Sequence, residues 1–253
     1  NIQSIATTYI GGFTGDFIRT TIENSKFIKL DSIYVSQTNR INVKIRGNNE
    51  SDINTKGISI TNEDQTKMLE KFKCLEKNDW LMICGSLAEN VDEQFLIEAS
   101  KIVNEKEAYL VLDVPGIKAK TIARCKPTLI KPNIDELFDM FDLKEIDDNR
   151  ISELISKLQK MNVANILLSK GAKGADYYTL DTYYEISHPA LNAVSTIGSG
   201  DSLLATFVGK LSQGECIEEA LAWGAAAGEA TAVSEGLATL GKMKELKMNV
   251  RVN

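Results

Sequence analysis

The segment Ser195–Ser202 combines two glycines with one acidic residue in the order Ser-Thr-Ile-Gly-Ser-Gly-Asp-Ser. Gly198 and Gly200 allow the backbone to turn sharply and to approach a ligand closely. If a helix begins here, the N–H groups of residues 198 to 202 point outward at its N-terminus, where anions are favoured. Asp201 then lies beside the anion, where a carboxylate can remove a proton from an attacking hydroxyl. The pattern indicates phosphoryl transfer.

The same residues also fit a plain helix start, with Ser199 or Asp201 as the N-cap and no ligand. A helix is predicted in either case, because apolar residues recur at helical spacing from Leu204 to Leu211 and Gly214 supplies a stop. A dinucleotide-binding G-x-G-x-x-G motif is excluded because position 203 is leucine. The residues alone leave the anion site and the simple cap both open.

Two further segments that follow predicted strands could bring groups to Asp201. Asn133 and Glu136 are three residues apart on one helical face, where they could hold a magnesium ion or its waters. The alternative is a helix start with Asn133 as its cap. The glycine-rich loop from Ser169 to Gly174 could pass close to a nucleotide, or it could be an ordinary hairpin connection.

Short apolar runs alternate with amphipathic stretches along most of the chain. The predicted strands are Ile2–Ile10, Trp80–Cys84, Tyr109–Leu112, Thr128–Ile130, Val163–Leu168 and Ala175–Leu180. The predicted helices lie at about 63–74, 91–104, 133–141 and 147–161, and a tightly packed helix rich in small residues follows at Ala220–Val233. This alternation predicts an α/β fold, in which helices cover both faces of a mostly parallel sheet.

One segment breaks the alternation and predicts a small antiparallel β lid at about 32–55. Ser32–Val35, Ile41–Arg46 and Glu50–Asn54 alternate with period two, and Gly47-Asn48-Asn49 suits a hairpin turn. Such an insert could close over a substrate or form an interface between copies of the chain.

Composition narrows the class of protein. The 253 residues are 43% hydrophobic and carry a net charge of -6, which fits one main domain and disfavours nucleic acid as a partner. We expect no membrane span, because no apolar run approaches the length that one needs. The four cysteines are far apart, as expected of free thiols in the cytoplasm. His188 is the single histidine, so a histidine metal cluster or a Ser-His-Asp triad is not expected.

Two other glycine-rich segments look like phosphate loops. Gly236–Met243 nearly matches a P-loop, but Met243 replaces the hydroxyl residue that binds magnesium, so we reject it. Gly11 and Gly12 begin a second such segment, which could instead be a close-packed turn between a strand and a helix.

Taken together and in order, these motifs resemble the PfkB-type, ribokinase-like sugar kinases over essentially the whole chain. The branch containing 1-phosphofructokinase and tagatose-6-phosphate kinase is the most similar, and the lid segment Arg40-Ile41-Asn42-Val43-Lys44 favours its 1-phosphofructokinase member. The residues that carry the resemblance are Gly11-Gly12, Thr38–Lys44, Gly85-Ser86-Leu87, Lys131–Glu136, Ser169–Gly174 and Gly198–Asp201.

The resemblance implies a three-layer α/β/α kinase that uses ATP and Mg²⁺ to convert fructose 1-phosphate into fructose 1,6-bisphosphate. Asp201 is then the general base, the amides of Ser199, Gly200 and their neighbours form the anion hole, and Gly198 shapes it. The remaining implied roles fall into three groups: nucleotide binding (Ser169, Gly171, Gly174), magnesium and phosphate positioning (Asn133, Glu136), and sugar-phosphate binding (Arg40, Ser86, Gly11, Gly12).

The resemblance leaves several alternatives open. Tagatose 6-phosphate is a second acceptor, and a homodimer through the β lid is plausible for the family. Family members normally begin with a further segment that carries a first strand and a sugar-binding aspartate, so the chain is expected to be an N-terminally shortened member. A catalytically weak, regulatory binder of nucleotide or sugar phosphate is therefore the alternative of another class, and a Rossmann oxidoreductase is a remote third.

Overall fold

A computed structural model describes residues 2–45, 51–189 and 191–253. The chain divides into two compact units. The N-terminal unit comprises residues 1–77 and 86–108, and the C-terminal unit comprises residues 78–85 and 109–253.

The N-terminal unit contains two small sheets. Its described elements are β1 (Ser4–Ile10), α1 (Gly12–Glu23), β2 (Ile28–Tyr34), β3 (Asn42–Ile45), β4 (Ser51–Asn54), α2 (Asn62–Phe72) and α3 (Glu93–Glu105). Strands β1 and β2 pair in parallel, and β3 and β4 pair antiparallel with Val43 opposite Ile53. Helices α2 and α3 begin at side-chain caps, Thr61 and Asp92, and they pack through the rings of Phe72 and Phe95.

The first strand predicted for the lid belongs elsewhere. Residues 32–34 lie in β2, which pairs with β1 and makes no ladder with β3 or β4. Period-two alternation does not reveal whether a strand pairs in parallel or antiparallel. The intervening helix α1, which the periodicity analysis did not predict, supplies the crossover that a parallel pair requires. The predicted turn at Gly47-Asn48-Asn49 lies outside the described residues.

The C-terminal unit contains one seven-stranded sheet. Its strands are β5 (Trp80–Cys84), β6 (Tyr109–Asp113), β7 (Leu129–Ile130), β8 (Ile166–Ser169), β9 (Ala175–Tyr178), β10 (Tyr183–Ser187) and β11 (Arg251–Val252), in the order β11-β10-β9-β8-β7-β6-β5. Strands β5 to β8 are parallel, and β9 to β11 continue the sheet antiparallel. Its described α-helices are α4 (Ala119–Cys125), α5 (Ile134–Asp139), α6 (Ile151–Lys160), α7 (Ser199–Ser212), α8 (Ile217–Ala232) and α9 (Leu240–Lys247).

Helices of this unit pack on both faces of the sheet. Successive side chains of a strand point to opposite faces, so a strand that is apolar at every position needs helices on both sides. Val111 and Leu167 belong to the buried cluster that includes Phe207 of α7 and Leu221 of α8. On the other face, Leu112 of β6 and Ile130 of β7 line the same small cavity as Ile122 of α4. Each fully buried large side chain contributes about 1.5–3 kcal/mol to folding. The predicted three-layer α/β/α architecture with a parallel centre is confirmed.

Small residues bring α7 and α8 close together. A Cβ on Gly224 would lie 3.0 Å from the carbonyl oxygen of Leu203, and one on Gly228 would lie 3.0 Å from that of Ser199. A side chain at either position would push the two backbones apart. Helix α8, which was predicted from its small residues, therefore packs closely against the first turns of α7 and fixes their position.

Candidate active site

Four neighbouring parallel strands of the C-terminal unit end at the same edge of the sheet. Cys84 ends β5, Asp113 ends β6, Lys131 follows β7 and Ser169 ends β8. Ligands of open α/β sheets bind at this carboxyl edge, where side chains of successive strands converge.

A buried ion pair lies at the centre of this edge. The Nζ atom of Lys131 is 3.2 Å from Oδ1 of Asp113, and the two side chains are only 8% and 11% exposed. Burial raises the pKa of the Asp113 carboxyl, the Lys131 ammonium opposes that shift, and the negative charges of Glu136 and Asp201 add to it. Asp113 is thus the ion-pair partner of Lys131, and its carboxyl also senses the charges of Glu136 on α5 and Asp201 on α7.

Cys84 belongs to the same cluster. Desolvation of its thiol, together with the charges of Asp113 and Asp201, raises the pKa of Cys84 to about 12. A thiol with such a pKa carries almost no thiolate at neutral pH, so it is a poor nucleophile. Cys84 is therefore not a candidate for the reacting group of this cluster.

The predicted glycine turn begins α7 and brings Asp201 to its first turn. Gly198 is the N-cap residue and has φ of 76°, a left-handed conformation that favours glycine. The Ser199 amide donates to the carbonyl oxygen of Thr196 (3.2 Å), and the Ser202 amide donates to that of Gly198 (2.8 Å). The amides of Gly200 and Asp201 have no acceptor within the helix, so they are the donors that the turn offers to an anion.

Gly200 connects this turn to the ion pair. A Cβ at position 200 would lie 3.3 Å from Nζ of Lys131. Glycine thus allows the ammonium to lie directly against the start of α7, while the Asp201 side chain remains exposed. An anion held by the amides of Gly200 and Asp201 would meet a fixed positive charge and an accessible carboxylate together.

Asn133 and Glu136 form the capping box that the sequence offered as an alternative. The Glu136 amide donates to Oδ1 of Asn133 (2.8 Å), and the Asn133 amide donates to Oε2 of Glu136 (2.9 Å). The box holds the Glu136 carboxylate at the start of α5, where its negative charge contributes to the raised pKa of Asp113. A cap and a position next to the cluster are thus compatible.

The loop after β8 lies next to Asn133. Ser169 and Asn133 form a parallel bridge, and the Ser169 amide donates to the carbonyl oxygen of Pro132 (2.9 Å). Gly171 has φ of 58° and open space around its α-carbon, whereas a Cβ on Gly174 would lie 2.1 Å from the carbonyl oxygen of Ile186. Gly171 is therefore free to face a ligand, and Gly174 is needed for packing against β10.

A buried carboxylate braces this loop. Oδ1 of Asp176 is 2.5 Å from Nζ of Lys170 and accepts a hydrogen bond from the hydroxyl of Tyr183 (3.2 Å). The Tyr178 hydroxyl donates to the other oxygen (3.3 Å). The Lys170 amide closes the loop by donating to the carbonyl oxygen of Gly174 (2.8 Å).

In the N-terminal unit, Gly11 and Gly12 form a close-packed turn. A Cβ on Gly11 would lie 2.1 Å from the carbonyl oxygen of Gln37, and one on Gly12 would lie 2.3 Å from the Thr38 hydroxyl. The Gly11 amide donates to Oδ1 of Asn39 (2.8 Å). The glycines therefore seat the segment 35–39, which leads directly into Arg40.

Arg40 and Ser86 lie together in the N-terminal unit, although 46 residues separate them. A guanidinium nitrogen of Arg40 donates to the Ser86 hydroxyl (3.3 Å), and the contact is exposed. A guanidinium can bind a phosphate through two parallel hydrogen bonds, and a serine hydroxyl can add a third.

Sequence reasoning gave no role to Lys131 or Asp113. Each follows the last apolar residue of its predicted strand, which is the position where a charged residue reaches the carboxyl edge. The sequence alone therefore marks both residues as candidates for the site. The pairing itself depends on β6 and β7 being neighbours in the sheet, which the local sequence does not specify.

Within the described part of the chain, no group of three or more His, Cys, Asp or Glu side chains is arranged to hold a metal ion. Glu136 and Asn133 still offer the carboxylate and amide oxygens that Mg²⁺ prefers. The residues present fit a magnesium ion completed by water and phosphate oxygens, as is usual for this ion.

The fold is ribokinase-like, and the groups at the carboxyl edge of its sheet are of the types that phosphoryl transfer uses. The sequence pattern of the pfkB family of carbohydrate kinases matches residues 2–243. The chain belongs to this family.

Two characterised relatives are similar over nearly the whole chain. The 1-phosphofructokinase of Borreliella burgdorferi is 33% identical over 251 residues, which cover 98% of this chain and 81% of that protein. The D-tagatose-1-phosphate kinase of Bacillus licheniformis is 30% identical over 252 residues, which cover 99% of this chain and 83% of that protein.

Among solved structures, Escherichia coli phosphofructokinase-2 in complex with potassium shares the fold. Its TM-score is 0.87 at 19% identity, and the match covers 97% of this chain and 82% of that one. The same enzyme has been solved as a tetrameric inhibited form. None of the helices that the structure describes in the present chain is long and apolar enough to cross a membrane.

Proposed function

We propose that this chain transfers the γ-phosphoryl group of ATP to the C6 hydroxyl of fructose 1-phosphate, giving fructose 1,6-bisphosphate and ADP. The observation that carries the proposal is the start of α7: Asp201 is exposed in its first turn, two amides there have no helical acceptor, and the buried Lys131 ammonium lies against Gly200. A base, an anion hole and a fixed positive charge are the parts that phosphoryl transfer requires.

Asp201 accepts the proton of the C6 hydroxyl as its oxygen attacks the γ-phosphorus. The new P–O bond forms while the bond from the γ-phosphorus to the β,γ-bridging oxygen breaks, and the electron pair leaves with ADP. The amides of Gly200 and Asp201 donate to the transferring group, with Gly198 and Ser199 setting the shape of the turn. Lys131 balances charge that develops on the phosphate oxygens.

Asn133 and Glu136 would hold Mg²⁺ through water, and the ion when bound neutralises phosphate charge. Ser169 and Gly171 would contact the nucleotide, and Gly174 would keep their loop in shape. Arg40 and Ser86 would bind the phosphate of the sugar, on a segment seated by Gly11 and Gly12. These assignments follow the family resemblance and the local geometry of each group.

The names of the relatives support a ketohexose 1-phosphate as acceptor. Tagatose 1-phosphate is the second candidate, because the Bacillus licheniformis relative is named for it. Tagatose 6-phosphate, the alternative acceptor that the family resemblance left open, is less well supported. A pocket can discriminate strongly between sugars that differ at one hydroxyl, so kcat/KM values separate these candidates.

The antiparallel strand pair β3–β4 supports assembly as a homodimer. Val43 and Ile53 face each other across the two strands, and they are 44% and 55% exposed. An exposed apolar pair of this kind suits an interface with a second copy. We place the enzyme in the cytoplasm, where its nucleotide and sugar phosphate are available.

The test is ADP release with Mg²⁺-ATP and, in turn, fructose 1-phosphate, tagatose 1-phosphate, tagatose 6-phosphate, fructose 6-phosphate and ribose. We expect the highest kcat/KM with fructose 1-phosphate. A preference for tagatose 1-phosphate would move the assignment to the second candidate. ATP binding without turnover of any sugar would favour the regulatory alternative.

A further inference from the structure

Thr231 is a buried polar residue near the C-terminal end of α8, with 2% of its surface exposed. Its hydroxyl oxygen is 2.8 Å from the hydroxyl oxygen of Ser202, in the first turn of α7. The amide of Ala238 donates to the same Thr231 oxygen (3.3 Å). One hydroxyl therefore connects α7 to the segment that follows α8.

The Thr231 hydroxyl does more than fill space in the packing of α8. Threonine is a poorer helix former than alanine, and the neighbouring positions of α8 are mostly alanine or glycine. A buried hydroxyl also needs hydrogen-bond partners. The Ala238 amide uses one acceptor position of the Thr231 oxygen, and either hydroxyl of the Thr231–Ser202 pair can donate to the other, so the buried hydroxyl has two partners.

The two contacts lie on either side of the glycine turn. The Thr231 methyl group is 3.9 Å from the position that a Cβ on Gly198 would take, and Cδ2 of Leu237 is 3.5 Å from it. The Ser202 amide in turn donates to the Gly198 carbonyl oxygen (2.8 Å). Thr231 therefore touches the segments that enclose Gly198 without belonging to the turn itself.

We propose that Thr231 is a positioning residue, whose hydroxyl holds the first turn of α7 so that Asp201 and the Gly200 amide stay aligned for phosphoryl transfer. The inference rests on the proposed function, because it gives Thr231 a role in that reaction. Thr231 acts through Ser202, the residue next to Asp201, and through the segment that carries Ala238. Small displacements of reacting groups lower reaction rates strongly. Loss of the hydrogen bond between Thr231 and Ser202 should therefore lower kcat more than it weakens the binding of either substrate.

Two variants separate the hydroxyl from the shape of the side chain. Thr231→Val keeps the branched shape and removes the hydroxyl, and we expect kcat to fall about tenfold. The KM values for ATP and sugar phosphate should stay within about twofold of the unmodified chain, because Thr231 supplies no binding group to either ligand in the proposed site. Thr231→Ser keeps the hydroxyl and should retain kcat within about twofold.

Ser202→Ala removes the other partner while leaving the Thr231 contact with Ala238, so a loss of about threefold in kcat is expected. This variant also decides the matter if Thr231→Val does not fold, because Ser202 is less buried. An unchanged kcat in Thr231→Val, or in Ser202→Ala where only that variant folds, overturns the inference.

An equal loss in Thr231→Ser and Thr231→Val also overturns the inference, since the methyl group would then matter and not the hydroxyl. Absence of sugar-phosphate turnover by the unmodified chain overturns the proposed function and this role together. Turnover by the unmodified chain with unaffected variants overturns this role alone.

Discussion

The two units hold the side chains of the proposed site in different ways. In the C-terminal unit, Asp113, Lys131 and Asp201 extend from strand ends and a helix start, and the central ion pair is buried. In the N-terminal unit, Arg40 and Ser86 meet through one exposed hydrogen bond of 3.3 Å. Catalysis needs charged groups in fixed positions, so we expect it in the C-terminal unit, where burial and secondary structure hold the side chains. The exposed side chains of the N-terminal unit suit substrate binding, which tolerates more side-chain movement.

The largest expected effect is the loss of kcat in Asp201→Asn, in the C-terminal unit. Removing a general base costs about 10²–10⁴-fold in rate, so kcat should fall by that factor while the KM for ATP changes little. Asp181→Asn, at an exposed turn of the same unit, is the matched control and should keep full activity. Steady-state kinetics check both, and near-normal turnover by Asp201→Asn would remove it as the base.

Asp113→Asn tests whether the C-terminal cluster depends on a buried charge pair. The variant leaves the Lys131 ammonium buried without its partner, which should lower the free energy of unfolding by about 3–5 kcal/mol. Denaturant unfolding at pH 7 measures it. The double variant Asp113→Asn with Lys131→Met should recover much of that loss, and equal instability of the single and double variants would contradict the account.

Glu229 on α8 gives a pH-dependent test of the same unit. Burial raises the pKa of Glu229 to about 7, the charge of nearby His188 lowers it, and neither carboxylate oxygen has a hydrogen-bond partner among the described residues. The folded state keeps its proton up to about pH 7, whereas the unfolded chain loses it near 4.5. Glu229 therefore lowers stability progressively as pH rises through that window.

Glu229→Gln should match the unmodified chain below pH 4.5 and be more stable above pH 7, by up to about 3 kcal/mol. Unfolding free energies across this pH range test the prediction. The exposed Glu235→Gln is the control and should show no such difference. A stability difference for Glu229→Gln that is independent of pH would contradict the raised pKa.

The smallest expected effect is in the N-terminal unit. Arg40→Ala should raise the KM for the sugar phosphate about tenfold, the size of one lost charged hydrogen bond, with a smaller change in kcat. Arg124→Ala, an exposed arginine of the other unit, should leave both constants unchanged. An unaltered KM would exclude Arg40 from the sugar site, and a large fall in kcat would contradict the division between the two units.

The sequence predicts the sheet-and-helix alternation well where local signals suffice. Strands β5 to β9 and helices α2, α3, α5 and α6 lie close to the predicted ranges, because apolar periodicity and caps mark them. The seven-residue helix α4 and the two-residue strand β11 are too short for such periodicity. They are held by the packing of the sheet, which a local pattern does not contain.

The site follows the same division. The turn at Gly198 and the capping box at Asn133 are local, and the residues themselves predict them. The ion pair between Lys131 and Asp113 and the contact of Thr231 with Ser202 join residues 18 and 29 positions apart. Such contacts depend on strand order and helix packing, so they become visible only in the folded chain.

The most direct test of the central claim is to follow the γ-phosphate of ATP by ³¹P NMR in the presence of fructose 1-phosphate and Mg²⁺. The account predicts a new C6 phosphate resonance of fructose 1,6-bisphosphate, formed by the unmodified chain and almost absent with Asp201→Asn. Release of inorganic phosphate without a sugar bisphosphate, or equal product formation by Asp201→Asn, would contradict it.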